Sequence, residues 1–151
     1  MFIKDIMESN VATLHRDATY EDAVSLFHDR DITGCPVLDD DGNVVGILSY
    51  KDLLRILFPF YDSYYKAPEL YTDYHDRECK AAEIRKHKVS SFMTPMVHTT
   101  TPDMPLLHAA GFMLAHHIQR LPVIENGVLV GIVTRKRIIR ELFKKNFPCY
   151  E

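Results

Sequence analysis

The chain is written twice. Residues 3–58 align with residues 89–143 at an offset of 86, which falls to 85 after one deleted residue. Met7 pairs with Met93, Val11 with Val97, Thr13 with Thr99, Asp17 with Asp103, Ala23 with Ala109, Ile32 with Ile118 and Pro36-Val37 with Pro122-Val123. Beyond the deletion, Val45-Gly46-Ile47 pairs with Val130-Gly131-Ile132, and Lys51, Arg55, Leu57 and Phe58 with Lys136, Arg140, Leu142 and Phe143. A period this long, present only twice, points to two copies of one supersecondary unit facing each other rather than to a solenoid. The clefts between the copies are then the first place to look for function.

Each copy has the same coarse order. In the first, Val11–Leu14 is a short extended segment, and Tyr20–Asp31 carries Ala23, Val24, Leu26 and Phe27 at helical spacing behind an Asp17 or Thr19 cap. Pro36–Leu38 and Val44–Leu48 flank Asp39-Asp40-Asp41-Gly42-Asn43, a hairpin whose turn takes its positive φ angles from Gly42 and Asn43. Ser49 then opens a helix carrying Leu53, Leu54, Ile56 and Leu57 until Pro59 stops it. The second copy reads Thr99–Thr101, a helix from Pro105 to His117, strands Leu121–Ile124 and Val128–Val133 turning at Glu125-Asn126-Gly127, and a helix from Thr134 to Lys145. The unit is β-α-β-β-α. The expected organisation is repeat one over 1–58, a partly helical insertion over 59–88 with a possible helix from Asp73 to Lys88, and repeat two over 89–151. Clustered tyrosines (61, 64, 65, 71, 74) in the insertion suit an interface.

Composition bounds the function classes. A chain of 151 residues with 46% hydrophobic and 26% charged content is an ordinary globular module, and a net charge of −3 argues against a nucleic-acid surface. Cys35, Cys79 and Cys149 show no CxxC spacing and read as reduced thiols. No apolar run of signal-peptide or membrane-span length occurs, so a cytoplasmic location without membrane insertion is expected.

The sharpest motif is Gly46-Ile47-Leu48-Ser49-Tyr50-Lys51-Asp52. A strand ends, a helix begins, and a carboxylate follows one turn after a hydroxyl. Free N–H groups at a helix start favour an anion, and a carboxylate there can accept both hydroxyls of a ribose. The same Ser-x-x-Asp spacing also serves as a helix cap, and both readings stand from spacing alone.

Two β-α-β-β-α copies, each with an apolar-Pro-Val strand and a strand-to-helix junction read against the pattern Gly-x-x-Ser/Thr-x-x-Asp, resemble a tandem pair of cystathionine-β-synthase (CBS) domains, the Bateman module. In copy two, Met96-Val97-His98-Thr99-Thr100-Thr101-Pro102 also resembles the nucleotide-sensing γ subunit of AMP-activated kinase. The resemblance implies an α+β fold of two repeats related by a pseudo-two-fold axis and packed through their sheets. It further implies a homodimer that binds AMP, ADP, ATP or S-adenosylmethionine between repeats and regulates an unidentified protein. Residue by residue, it implies Ser49 and Asp52 on the ribose, Ile47 against the base, backbone from Met93-Thr94-Pro95, and Gln119 and Arg120 at the phosphates. Arginine suits that last task because its fork of donors matches phosphate oxygens.

The second junction departs from the pattern, because Arg137 stands where the ribose-binding acid belongs and a guanidinium accepts no hydrogen bond. Thr33-Gly34-Cys35, facing it, also lacks a cation. That cleft is expected to be empty or to take an anion through Thr134, Arg135 or Arg137. His108, His116 and His117 lack metal-ligand spacing, and Asp39–Asp41 lacks the spaced ligands of a calcium loop. No metal or cofactor is expected, and no nucleophile-base pattern of a hydrolase is present. The expectation is a non-enzymatic adenine-nucleotide sensor. Its competitors are a dimerisation module without ligand and a divalent-metal sensor.

Overall fold

The computed structural model describes residues 1–57, 66, 83–95 and 97–150. The elements are β1 (Leu14–His15), α1 (Tyr20–Arg30), β2 (Gly34–Leu38), β3 (Val44–Ser49), α2 (Tyr50–Leu57), α3 (Leu106–Ala115), β4 (Arg120–Glu125), β5 (Val128–Thr134) and α4 (Arg135–Asn146). The first copy therefore runs β-α-β-β-α, as its periodicity requires. In the second, the leading strand shrinks to a single parallel bridge between Thr100 and Val123, where the first copy has the two-residue ladder Leu14–Val37 and His15–Leu38.

Local chemistry explains the boundaries. Thr19, not Asp17, caps α1: its Oγ1 accepts from the Asp22 N–H at 3.2 Å while the Asp22 carboxylate accepts from the Thr19 N–H at 2.9 Å. Asp31 does not extend the helix but closes it in the left-handed region at φ 50°. In the first hairpin only Gly42 takes a positive φ, of 80°, and Asn43 does not; in the second, Asn126 and Gly127 both do, at 51° and 78°. The order β1-β2-β3 forms one sheet and β4-β5 an antiparallel pair. Pro59, the Tyr cluster, Cys79 and most of the helix expected over 73–88 lie outside the described residues.

Two compact units emerge, and they do not follow the written repeats. One comprises the described residues of 12–40 and 45–96, the other those of 1–11, 41–44 and 97–151. The core of the first is Leu14, Ala23, Phe27, Val37, Leu48, Leu53 and Val89. Its late segment docks on β3 through a reciprocal pair of backbone hydrogen bonds between Ile47 and Thr94, at 3.0 and 2.9 Å. The core of the second unit is Ile3, Leu106, Met113, Leu121, Val133 and Ile138. There the chain's opening segment docks on β5, with Glu8 and Ile132 exchanging backbone bonds at 2.9 Å each way. Each copy's leading segment thus packs with the β-β-α portion of the other copy. A glycine makes both dockings possible: a Cβ on Gly46 would overlap Met93 Sδ, and one on Gly131 would approach Met7 Sδ to 2.7 Å.

Candidate functional site

At the β3-α2 junction the Asp52 side chain is 3% exposed and uses both oxygens. Oδ2 accepts from the Ser49 N–H at 2.9 Å and from Ser49 Oγ at 3.1 Å. Oδ1 accepts from Thr94 Oγ1 at 3.1 Å and from the Arg55 guanidinium at 3.4 Å. The Oδ2 bonds are half of an ordinary capping arrangement, with the Ser49 hydroxyl turned to donate to the acid. Capping does not account for Oδ1. A hydroxyl 42 residues away in sequence is brought to it by the docking of residues 89–95 on β3. Charged hydrogen bonds of this kind fix a buried carboxylate in one orientation.

The site residues expected from the sequence divide between the units. Ile47, Ser49, Asp52, Met93 and Thr94 come together in one, with Ile47 half-buried on β3 and Met93 lying over Gly46. Pro95 follows Thr94 and is exposed. Thr94 contributes its side-chain hydroxyl as well as its backbone. Gln119 and Arg120 belong to the other unit. There the Gln119 carbonyl accepts from the Arg135 N–H at 3.0 Å, and Arg120 pairs with Thr134 at the start of β4. Arg55 was not among the expected residues, although its place three positions after Asp52 on a helix makes the contact readable.

The second junction is built from the same backbone with different chemistry. Thr134 Oγ1 accepts from the Arg137 N–H at 3.2 Å, so this hydroxyl caps the helix and meets no acid among the described residues. Repeat alignment places Arg137 at the position of Asp52 and Glu8 at that of Thr94. Arg135 and Gln119 instead border a pocket of about 710 Å³ on the flank of α4.

One acid-histidine group escaped the sequence reading. The β1-β2 pairing places His15 Nε2 2.6 Å from Asp40, within a group that also contains Asp17. Its carboxylates already face Arg16 at 3.4 Å and Lys88 at 3.3 Å. His116 stacks its ring on Phe112 and His98, at centroid distances of 4.4 and 5.0 Å. No helix among the described residues is long and apolar enough to cross a membrane.

Comparison with known proteins agrees with this architecture. The model of the CBS domain matches residues 3–59 and again residues 89–144. The protein MJ1426 of Methanocaldococcus jannaschii is 33% identical over 94% of this chain and 91% of its own length. Among solved structures, the CBS domain pair of MJ0100, in complex with 5-methylthioadenosine and S-adenosyl-L-methionine, superposes with a TM-score of 0.72 at 25% identity, covering 97% of this chain and 98% of that one. CBSX2 of Arabidopsis thaliana in complex with AMP superposes with a TM-score of 0.70 at 26% identity, covering 95% and 97%. Duplicated in sequence, duplicated in fold and matched twice by one domain model, the chain belongs to the CBS domain family as a CBS pair of the Bateman type.

Proposed function

We propose that this CBS pair is a non-enzymatic regulatory module that binds an adenosine-containing nucleotide, AMP, ADP or ATP, with Asp52 gripping the ribose. The observation that carries the reading is the buried Asp52 carboxylate, held by Ser49 on one oxygen and by Thr94 and Arg55 on the other. A ribose diol satisfies the carboxylate as well as these donors do, and it takes over the place of the Thr94 hydroxyl and the longer Arg55 contact. Ile47 lies on the strand leading into the junction, where an adenine ring packs. Gln119 and Arg120 are assigned to the phosphates, as in the family resemblance. The complexes of CBSX2 with AMP and of MJ0100 with adenosyl ligands support this ligand class.

The same arrangement supplies a signal. Thr94 belongs to the segment docked on β3, so a ligand that replaces its bond to Asp52 changes the free energy of that docking. Only such a difference in affinity between docked and altered states shifts their populations. The module regulates an unidentified protein and acts as a homodimer. A melting panel of AMP, ADP, ATP and S-adenosylmethionine at fixed ionic strength tests the reading, with sedimentation for the dimer. It predicts a concentration-dependent rise in Tm for at least one adenosyl ligand, lost in Asp52→Ala. A chain that melts identically with every member of the panel contradicts it.

A further inference from the structure

The α4 helix concentrates positive charge in a chain whose net charge is −3. Six cations and one acid, Glu141, stand on its twelve residues. Lys144 and Lys145 suit the last turn, but the placement of the others works against the helix. Arg135, Lys136 and Arg137 occupy the first turn, where the helix end is itself partly positive and acids are preferred. Lys136, Arg140 and Lys144 are spaced four apart, so like charges stack along one stripe and repel. α1 does the opposite, with Glu21 and Asp22 in its first turn.

Among the described residues, Glu141 is the one acid within reach of this stripe. Among the described residues, the side chains of Arg135, Lys136 and Arg140 make no hydrogen bond or ion pair, and Lys144 reaches only Glu141, at 3.8 Å. The stripe forms the wall of an open pocket of about 710 Å³ bordered by Gln119 and by Tyr150 of the C-terminal turn. Tyr150 is held there by its ring contact with Phe143, at a centroid distance of 5.3 Å. Local choices that oppose folding yet agree with one another in a concavity are the mark of a site.

We propose that this pocket is an oligophosphate site: it takes an anion of several linked phosphoryl groups along the stripe Lys136–Arg140–Lys144. The stripe rises about 12 Å along the helix, a length that suits a phosphoryl chain, whereas a single phosphate meets only one turn of it. Guanidinium and ammonium groups pair with successive phosphoryl oxygens, and the bound charge relieves the repulsion among the cations. The site lies within one compact unit and does not depend on the Asp52 reading. The phosphoryl chain is either a free oligophosphate or the tail of a nucleoside triphosphate, which share this chemistry.

Calorimetric titration with inorganic triphosphate, orthophosphate, sulfate and ATP at matched ionic strength decides the matter. The expected result is saturable triphosphate binding, about tenfold tighter than orthophosphate or sulfate, as charge-assisted contacts spread over more than one turn require. The double substitution Arg140→Ala/Lys144→Ala, at exposed positions, leaves the Tm within a degree or so of wild type or raises it and abolishes triphosphate binding, while Asp52→Ala retains it. ATP binding that survives in Asp52→Ala and is lost in the α4 variant identifies the nucleotide tail as a source; triphosphate without ATP identifies the free chain. Equal affinity for sulfate, indifference to the α4 substitutions, or loss of triphosphate in Asp52→Ala overturns the proposal.

Discussion

Thr100 offers a sharp test of the packing account. It occupies the position of Leu14 in the first copy, and both side chains are buried, at 5% and 8% exposure. Its backbone is fully engaged: the N–H donates to Pro122 O at 2.9 Å and the carbonyl accepts from Ile124 at 2.8 Å. Its hydroxyl, however, has no hydrogen-bond partner among the described residues. An unsatisfied buried polar group costs about 1–3 kcal/mol, and valine has nearly the same shape with a methyl in place of the hydroxyl. Thr100→Val is therefore expected to stabilise the protein by about 1 kcal/mol. At this chain length that raises Tm by about 2–4 °C. Urea unfolding followed by far-UV circular dichroism reads the shift as a higher midpoint at unchanged slope. The mirror substitution Leu14→Thr removes apolar burial and adds a buried hydroxyl, and is expected to cost about 2–4 kcal/mol. Destabilisation by Thr100→Val would refute the reasoning, because it would mean the hydroxyl is engaged in the folded protein.

Three further outcomes follow from particular contacts. Gly46→Ala places a Cβ into Met93 Sδ and 3.0 Å from the Thr94 carbonyl, so it is expected to loosen residues 89–95 from β3 at a cost of about 1–3 kcal/mol, read as faster amide exchange at Ile47 and Thr94. Tyr20 donates to the Leu53 carbonyl at 3.2 Å, and burial raises its phenol above the usual value of 10.0. The folded chain then holds this proton at pH values where the unfolded chain releases it, so the tyrosine's contribution is complete below pH 10 and falls away above it; Tyr20→Phe is expected to cost about 0.5–1.5 kcal/mol at pH 7 and to flatten the decline above pH 10 in urea melts. Thr94→Val keeps the shape of the side chain and removes one donor to Asp52, and is expected to weaken the docking of residues 89–95 by about 1 kcal/mol, visible in the same exchange experiment.

The duplicated sequence makes the supersecondary unit readable, because helix caps and hairpin turns depend on neighbours in the chain. Thr19 with Asp22 and Asn126 with Gly127 are complete signals within four residues. Where each leading segment docks is not readable from local pattern, and only the family resemblance puts Met93-Thr94-Pro95 beside Ser49 and Asp52. Met7 and Met93 carry the same side chain, and Gly46 and Gly131 open the same gap, so either methionine fits either strand by local criteria. The tertiary fold resolves that degeneracy. The resemblance places Thr94 at the site through its backbone, and the bond from its hydroxyl to Asp52 appears only with the docking. The cation stripe of α4 was in plain view at four-residue spacing, but its meaning depended on the placement of Tyr150 beside the helix, which no periodicity announces.

Calorimetric titration of AMP, whose single phosphate does not span the α4 stripe, into the wild-type chain and into Asp52→Asn tests the central claim most directly. Asparagine keeps the shape of the side chain and removes the charge that holds a ribose diol. Charged hydrogen bonds of about 1.5–3 kcal/mol each predict an affinity loss between about tenfold and a hundredfold, with the fold retained by circular dichroism. Binding of equal strength to both chains, or to neither, would contradict the assignment of Asp52 to the ribose.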